Sequence, residues 1–484
     1  RDRYHIVFSV SLMILLTLTI LSPTILGQEV IELTIAPPKW WSGFRFYKEI
    51  WIPYFEGKMA EKGILVKVKI VDYPAPDPPF IERTILDLKA GTAPDIIFVD
   101  SFYVGQWAEA GYLYPLTDFV KEWPEWEKYF EPLKRAVIWK GDVYAVLIET
   151  DIRPVYYRKD IFKAAGLPVP WEPKSWDDIL EAARTIKAKA EEIKAKLGID
   201  ELYPIAFKMG KKIEEATPMQ GFYMLLAGTG DWIFDEKAGK WVAKSGGLLD
   251  SFKFLEIIHK EGLTVPTDLW FAPDPIDLVH RLLAEGKLAI FPTWQGVWYD
   301  MGNPAHKWYV PNRDEVVGYT AMPGRRKFLG KEYPTDPEKV TVSGGWTLAI
   351  SHNSKHPDLA WEFIKSVLGT ELSVVRMIVF PGGLPPGTHV SEDPLYKART
   401  DPYTLWAVEL VKYTIFRPSR AEYPYVSSAV QEATELILAG KSAEEVMDWY
   451  AEKIKEIAPE ALSLIHISEP TRPRLISYAV FCLK

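Results

Sequence analysis

Short apolar runs with few polar interruptions recur along this sequence and alternate with stretches of helical spacing. Four of these runs are Asp95–Val99, Ala145–Ile148, Leu288–Phe291 and Thr347–Ile350. Runs of this kind are typical of strands that are covered on both faces, which requires helices on either side of a sheet. The pattern therefore predicts a fold of the α/β class.

Two further segments, Ile31–Ala36 and Val66–Ile70, alternate apolar and polar residues and are predicted to be strands with one solvated face. Apolar residues at helical spacing predict a helix over Ser175–Leu197, in which Ser175 caps the N-terminus and Gly198 ends the helix.

The length of the chain exceeds what a single hydrophobic core usually serves, so we expect two domains. With 48% hydrophobic and 25% charged residues, the composition is that of a globular protein. No stretch has the composition of a flexible linker. The chain is therefore expected to pass between the domains through strands rather than through a tether.

Residues 1–28 resemble an export signal, because a short basic stretch precedes the apolar segment Ile6–Leu21. The segment is also nearly long enough to remain as an N-terminal membrane anchor. In either case the mature protein is expected outside the cytoplasm, whether secreted, periplasmic or tethered to the outer face of the membrane.

The C-terminal residues 462–484 are predicted not to belong to the natural protein. Their first residues, LSLIHISEPTR, resemble a translated adapter from a DNA sequencing library. We expect this tail to lack consistent packing against the domains. Its removal also removes Cys482, the sole cysteine, and with it any cysteine chemistry.

Several kinds of chemistry lack support in the sequence. HExxH, CxxC and GxGxxG patterns are missing, so no metal and no cofactor is predicted. A formal net charge of −8 argues against nucleic acid as a partner. Glu149 and Asp151 are two residues apart on one predicted strand and do not suit the paired carboxylates of a glycosidase. The protein is therefore not predicted to be an enzyme.

The chain contains 19 tryptophans among 484 residues. A flat apolar ring packs well against the C–H face of a sugar, while carboxylates and amides bind the hydroxyl groups. Large aromatic residues also fill ordinary cores, and most of these tryptophans are expected to do so.

Five blocks of sequence resemble, in the same order, the extracytoplasmic solute-binding proteins of ABC sugar importers, especially the maltose/trehalose-binding branch. The blocks are Ala90–Trp107, Tyr114–Val120, Gly141–Phe162, Gly286–Trp298 and Ser343–Val367. The resemblance implies the periplasmic-binding-protein fold, with two α/β lobes, a hinge of several strands and a ligand cleft between the lobes. It places residues 29–150 and about 293–345 in the N-terminal lobe, and residues 151–292 and about 346–461 in the C-terminal lobe.

The resemblance also implies polar ligand-binding residues. Asp100 ends a predicted buried strand at the edge where such sheets bind ligands, although it is equally placed to cap the following helix. Glu149 and Asp151 fall at the predicted hinge, with Asp151 as an acceptor for sugar hydroxyls. Arg417 matches an Arg-Pro region of the family, and Trp41 is predicted to add a stacking surface or to shield the cleft rim.

The predicted stacking rings are Trp294 and Trp346, with Trp298 in support of Trp294. Gly344 and Gly345 are expected to let the main chain approach the ligand, because glycine has no side chain to interfere.

The resemblance implies a monomeric binding protein that carries a saccharide, of two or more sugar units, to the membrane permease of an ABC importer. A secreted carbohydrate-active enzyme is the alternative from another class. A binding protein for a polyamine or a peptide is a third possibility, since carboxylates and aromatic rings also bind cations.

Overall fold

The computed structural model describes residues 29–39, 43–74, 77–380 and 382–464, with the side chains of 77 and 78 left out. The predicted export segment, Trp41 and residues 465–484 lie outside the described part. The described residues form two compact units, one of residues 29–98 and 350–367 and the other of residues 99–349 and 368–464. Within them, no helix has both the length and the apolar character needed to cross a membrane.

The smaller unit contains the two alternating strands that the sequence predicts. Ile31–Ala36 pairs in parallel with Val66–Ile70 on one side and with the start of Ile96–Asp100 on the other. Its core includes stacked rings of Tyr47 and Trp51, whose centroids are 4.4 Å apart. The main helices of this unit are Ile52–Glu61, Asp77–Ala90 and Pro357–Val367.

The larger unit is built around a mixed sheet of four strands. Their order across the sheet is Val317–Thr320, Val155–Arg158, Leu288–Pro292 and Tyr203–Ile205. The last two strands are parallel and the other pairings are antiparallel. Every residue of Leu288–Pro292 is buried, as expected for a strand covered on both faces. The α/β class is thereby confirmed.

A second sheet of this unit brings two distant segments together. Lys339–Ser343 pairs in parallel with Thr414–Phe416, and Ser343 lies opposite Phe416. This register places the next residues of both strands, Gly344 and Arg417, side by side.

Another pairing joins two segments that the sequence assigned to different lobes. Trp346–Ile350 pairs antiparallel with Ala145–Leu147, with Leu348 opposite Val146. Their main-chain hydrogen bonds make these segments neighbours in one sheet. The division into lobes stays a prediction.

The helix predicted over Ser175–Leu197 is two helices, Trp176–Ala188 and Ala190–Leu197. The break is at Lys189, whose Nζ donates to the carbonyl oxygen of Ala165 over 2.7 Å. Both predicted ends are confirmed. The Ser175 hydroxyl accepts from a main-chain N–H of the first turn, and Gly198 has φ of +68°.

The first residues of the C-terminal tail are ordered against the larger unit, contrary to expectation. Leu462–Ser463 pairs in parallel with Lys240–Lys244, and the N–H of Leu464 donates to the Lys244 carbonyl over 2.7 Å. These bonds use main-chain groups, which any sequence supplies, so the packing did not require a selected sequence.

The remaining elements belong to the larger unit. Its helices are Val104–Glu109, Thr117–Lys121, Glu131–Ala136, Lys159–Ala165, Tyr223–Gly228, Gly246–Lys260, Pro275–Ala284, Val297–Gly302, Arg313–Val316, Thr370–Val379, Thr388–Ser391, Pro394–Arg399, Pro402–Leu410, Tyr423–Leu438 and Ala443–Ile457. Its short strands are Ile138–Trp139, Asp142–Val143, Phe234–Asp235, Met322–Pro323, Lys327–Phe328 and Lys331–Glu332.

Candidate ligand-binding site

Asp100 ends its strand beside the guanidinium of Arg417. The Oδ1 atom of Asp100 accepts a hydrogen bond of 2.8 Å from Nη2 of Arg417, whose side chain is 3% exposed. Asp100 also occupies the N-cap position of the short helix Ser101–Tyr103, but its side chain makes no capping hydrogen bond there. Burial raises the pKa of the Asp100 carboxyl, and the positive charge of Arg417 opposes this shift.

Arg417 binds a second carboxylate that sequence reasoning missed. Its Nη1 atom donates to Oε1 of Glu215 over 3.2 Å, and its guanidinium lies 4.4 Å from the ring centre of Phe102. Glu215 also accepts from Tyr423 and Ser427. Glu215 lies in a loop without a strand or motif pattern, so nothing in the sequence indicated its role.

Asp151 is fixed by hydrogen bonds and by an ion pair with an arginine. Its Oδ1 atom accepts from the main-chain N–H of Gly344 over 2.7 Å and forms an ion pair with Arg153, whose side chain is 7% exposed. The Ser343 hydroxyl donates to the main-chain carbonyl of Asp151. These hydrogen bonds hold Asp151 next to Gly344.

Glu149 is also paired with a buried arginine. Its Oε2 atom accepts from Nη2 of Arg376 over 2.6 Å, and the Arg376 side chain is 4% exposed. Gly383 packs directly against this carboxylate, because a Cβ atom there would lie 2.1 Å from Oε2. The three predicted carboxylates are therefore each paired with a buried arginine.

The structure gives a different reason from the expected one for glycine at the two predicted positions. A Cβ atom at Gly344 would lie 2.6 Å from Nη2 of Arg417. A Cβ atom at Gly345 would lie 2.4 Å from the carbonyl oxygen of Glu149. Both glycines thus make room for other parts of the protein, and their contact with ligand stays a prediction.

Trp294 and Trp346 are both partly exposed. The ring of Trp294 lies over Gly296, where an added Cβ atom would come within 2.1 Å of it, and close to Gly382. Trp346 begins its strand directly after Gly345 and accepts a main-chain hydrogen bond from Ile148. Neither residue is fully buried.

Trp298 does not offer a surface for a ligand, which corrects its assignment as a ligand-binding residue. Its residue exposure is 6%, its ring stacks on Tyr403 at 4.8 Å, and the guanidinium of Arg313 lies 3.9 Å from its centre. Trp298 lies in the helix Val297–Gly302, which begins after Trp294, and its ring packs in the core.

Direct contacts join these residues into one site in the larger unit. Asp100, Arg417, Gly344 and Asp151 form a continuous chain of contacts, as given above. Gln295, next to Trp294, donates from Nε2 to the Gly382 carbonyl and accepts from the N–H of Ile152, next to Asp151. In the described part of the chain, no three His, Cys, Asp or Glu side chains converge as metal ligands would.

Several known proteins are similar to this chain. The family model for bacterial extracellular solute-binding proteins matches residues 45–372. A protein of Brucella abortus, named only as a binding protein, is 26% identical over 247 residues, so the chain spans about half the length (54%) of that relative. The maltotriose-binding protein of Pyrococcus abyssi is 22% identical over 357 residues, or 72% of this chain and 67% of the relative.

Solved structures share the fold over nearly the whole chain. Maltose-bound MalE3 of T. maritima matches with a TM-score of 0.68 and 20% identity, covering 88% of this chain and 100% of that one. The cyclic α-maltosyl-1,6-maltose binding protein of Arthrobacter globiformis matches with a TM-score of 0.68 and 18% identity, covering 89% and 99%. The expected periplasmic-binding-protein fold is thereby confirmed, and the chain belongs to the bacterial extracellular solute-binding proteins.

Proposed function

We propose that this protein binds an uncharged saccharide outside the cytoplasm and delivers it to the membrane permease of an ABC importer. Membership of a family of extracellular binding proteins supports the location and the absence of catalysis. The names of several relatives support the ligand class, since they bind maltotriose, maltose or a cyclic maltosyl-maltose.

The observation that carries this proposal is the pairing of every candidate carboxylate with a buried arginine. The pairs are Asp100 with Arg417, Asp151 with Arg153 and Glu149 with Arg376. A paired carboxylate still has lone pairs that accept hydrogen bonds from hydroxyl groups, while its arginine offsets its negative charge. Such acceptors suit a neutral polyol.

The two partly exposed rings complete the recognition of a sugar. Trp294 and Trp346 offer flat apolar surface in the same unit as the paired carboxylates. A pyranose has hydroxyl groups around its edge and C–H groups on its faces, so it uses both kinds of surface at once. We propose that these rings stack on the sugar.

A polyamine suits this site less well. Binding of a cation is favoured by carboxylates that lack another positive partner, and by rings near such carboxylates. Here each of the three carboxylates already has an arginine partner, although Arg417 is shared between Asp100 and Glu215. The positive charge of a polyamine would compete with guanidinium groups that are fixed by burial.

A thermal-shift screen tests the ligand class. Maltose, maltotriose and other neutral di- and oligosaccharides are compared with spermidine and short peptides at equal concentration. A ligand at one hundred times its dissociation constant stabilises the fold by about 2.7 kcal/mol, which gives a clear rise in melting temperature. We expect a rise with at least one neutral saccharide. A rise with spermidine or peptide alone would contradict the proposal.

The same samples separate binding from catalysis. Chromatography of the oligosaccharide after prolonged incubation should return it unchanged, because a binding protein releases what it captured. Appearance of shorter sugars would favour the alternative of a secreted carbohydrate-active enzyme. We also propose that the protein acts as a monomer, and size-exclusion chromatography with light scattering checks this.

A further inference from the structure

Lys208 is a buried amine directly behind the candidate site. Its residue exposure is 1%, and its Nζ atom donates to the side-chain oxygen of Gln220 and lies 3.1 Å from the hydroxyl of Thr293. Both of these partners are neutral. A buried lysine bound to neutral oxygens is unusual, because its charge loses hydration without gaining an ion pair.

The direction of the hydrogen bonds around Lys208 follows from a neighbouring histidine. Nδ1 of His280 lies 2.6 Å from the carbonyl oxygen of Ile276, which only accepts, so Nδ1 holds the proton. Burial keeps the pKa of His280 well below its ordinary value, so the ring is neutral and Nε2 is an acceptor. The single proton of the Thr293 hydroxyl is donated either to Nε2, 3.0 Å away, or to Oε1 of Gln220, 2.9 Å away, and in both cases the hydroxyl oxygen accepts from Lys208.

Lys208 is therefore the donor from which this network starts. Its second bond goes to Oε1 of Gln220, and this same oxygen accepts the main-chain N–H of Trp294 over 3.2 Å. Gln220 thus joins the ammonium of Lys208 to the backbone that carries the ring of Trp294.

We infer that Lys208 is a positioning residue, which holds the amide oxygen of Gln220 against the backbone of Trp294 and so sets the ring that stacks on the ligand. The stacking role rests on the function proposed above. The positional role does not, since it concerns the free protein.

The charge of Lys208 makes this role sensitive to pH. Burial, and then the nearby charge of Arg153, lower the pKa of Lys208 to about 7. Of the described charged or titratable groups that face it, Arg153 forms an ion pair with Asp151, and His280 stays neutral. Below neutral pH both bonds from Lys208 are charge-assisted, and above it they weaken. The position of Trp294 is therefore expected to change as the pH rises through about 7.

Fluorine NMR of the full chain tests the inference without ligand. The protein is labelled with 5-fluorotryptophan, and the resonance of Trp294 is assigned from its loss in Trp294→Phe. We expect this resonance to shift between pH 6 and 9 with a midpoint near neutral pH. Lys208→Met, which fills the same space without an amine, is expected to abolish the shift. The exposed Lys211→Met is the matched control and should keep it.

A third variant distinguishes an effect carried by the hydrogen bonds of Gln220 from a direct effect of the charge of Lys208 on the Trp294 resonance. Gln220→Met retains Lys208 but removes the oxygen that joins it to Trp294, so the shift should disappear there as well. An unchanged shift in either Lys208→Met or Gln220→Met would overturn the inference, whatever the protein binds.

Calorimetric titration with maltotriose then addresses the ligand. The dissociation constant is expected to be about fivefold weaker at pH 8.5 than at pH 6 in the parent and the same at both in Lys208→Met. Affinity in the parent that does not change with pH would overturn the link to binding. Absence of any sugar binding, with the resonance still titrating, would refute the proposed function and leave the positional role of Lys208 in place.

Discussion

Arg417 donates to Asp100 over 2.8 Å although the two residues are 317 positions apart in the sequence. The arginine is buried and the carboxylate is partly exposed. Arg417 therefore serves as an internal counter-ion for a candidate ligand acceptor. Its burial leaves the guanidinium little surface to offer a ligand, and direct contact of Arg417 with ligand stays a prediction.

Replacement of Arg417 by methionine is expected to destabilise the protein by about 3 kcal/mol, because it leaves the charges of Asp100 and Glu215 partly buried without a partner. Urea unfolding at pH 7 measures this change. Arg45→Met is the matched control: its ion pair with Glu49 is solvent-exposed and should contribute less than about 1 kcal/mol. Equal stability of the two variants would show that the buried pair is not important for folding.

Gly345→Ala is expected to lower stability by about 2 kcal/mol, since the new Cβ atom would overlap the carbonyl oxygen of Glu149 and force the strands apart. Gly57 provides the opposite case. It lies exposed within the helix Ile52–Glu61, with no atom within 4 Å of an added Cβ, so Gly57→Ala should gain about 1 kcal/mol. Thermal unfolding of both variants checks the two signs, and a neutral Gly345→Ala would refute the close approach.

His389 is expected to make the fold sensitive to acid. It is buried against the ring of Tyr129, with centroids 5.0 Å apart, and burial, aided by Lys128, lowers its pKa to about 4. An unfolded histidine has a pKa of about 6.5, so below that pH the unfolded chain binds a proton that the folded one does not. The contribution of His389 to stability is therefore fully present above about pH 6.5. It declines by about 3 kcal/mol as the pH falls towards about 4.

The variant His389→Phe keeps the stacked ring and removes this titration. As the pH falls from 6.5 to 4, the unfolding free energy of the parent should fall increasingly below that of His389→Phe. Below pH 4 the difference between the two proteins should stay constant. His352→Phe, at an exposed histidine, is the control and should follow the parent. An identical decline in the parent and His389→Phe would show that other groups cause the acid sensitivity.

Local features of the fold could be predicted from sequence. The strands Ile31–Ala36 and Val66–Ile70 have the predicted bounds, and the cap at Ser175 and the helix end at Gly198 are confirmed. Each depends on residues within a few positions of one another. The break at Lys189 was missed because a contact with a different helix causes it.

The polar partners of the site depend on distant contacts, which explains why most were missed. Arg376 pairs with Glu149 from 227 positions away, and Lys208 meets Thr293 from 85 positions away. No spacing rule connects such residues. Trp298 illustrates the reverse error, since its motif resembled a binding motif while its ring packs in the core against the distant Tyr403.

The central claim is that partly exposed tryptophans and arginine-paired carboxylates of the larger unit bind a neutral saccharide. Calorimetric titration of the parent and Trp294→Ala with a saccharide that raises the melting temperature tests it most directly, with the buried Trp298→Phe as the control. The account predicts that Trp294→Ala loses about 2–4 kcal/mol of binding, which is at least about thirtyfold in dissociation constant, while Trp298→Phe binds like the parent. The claim would be contradicted if the parent and Trp294→Ala bound the saccharide with equal affinity. It would also be contradicted if spermidine gave a heat of binding and none of the saccharides did.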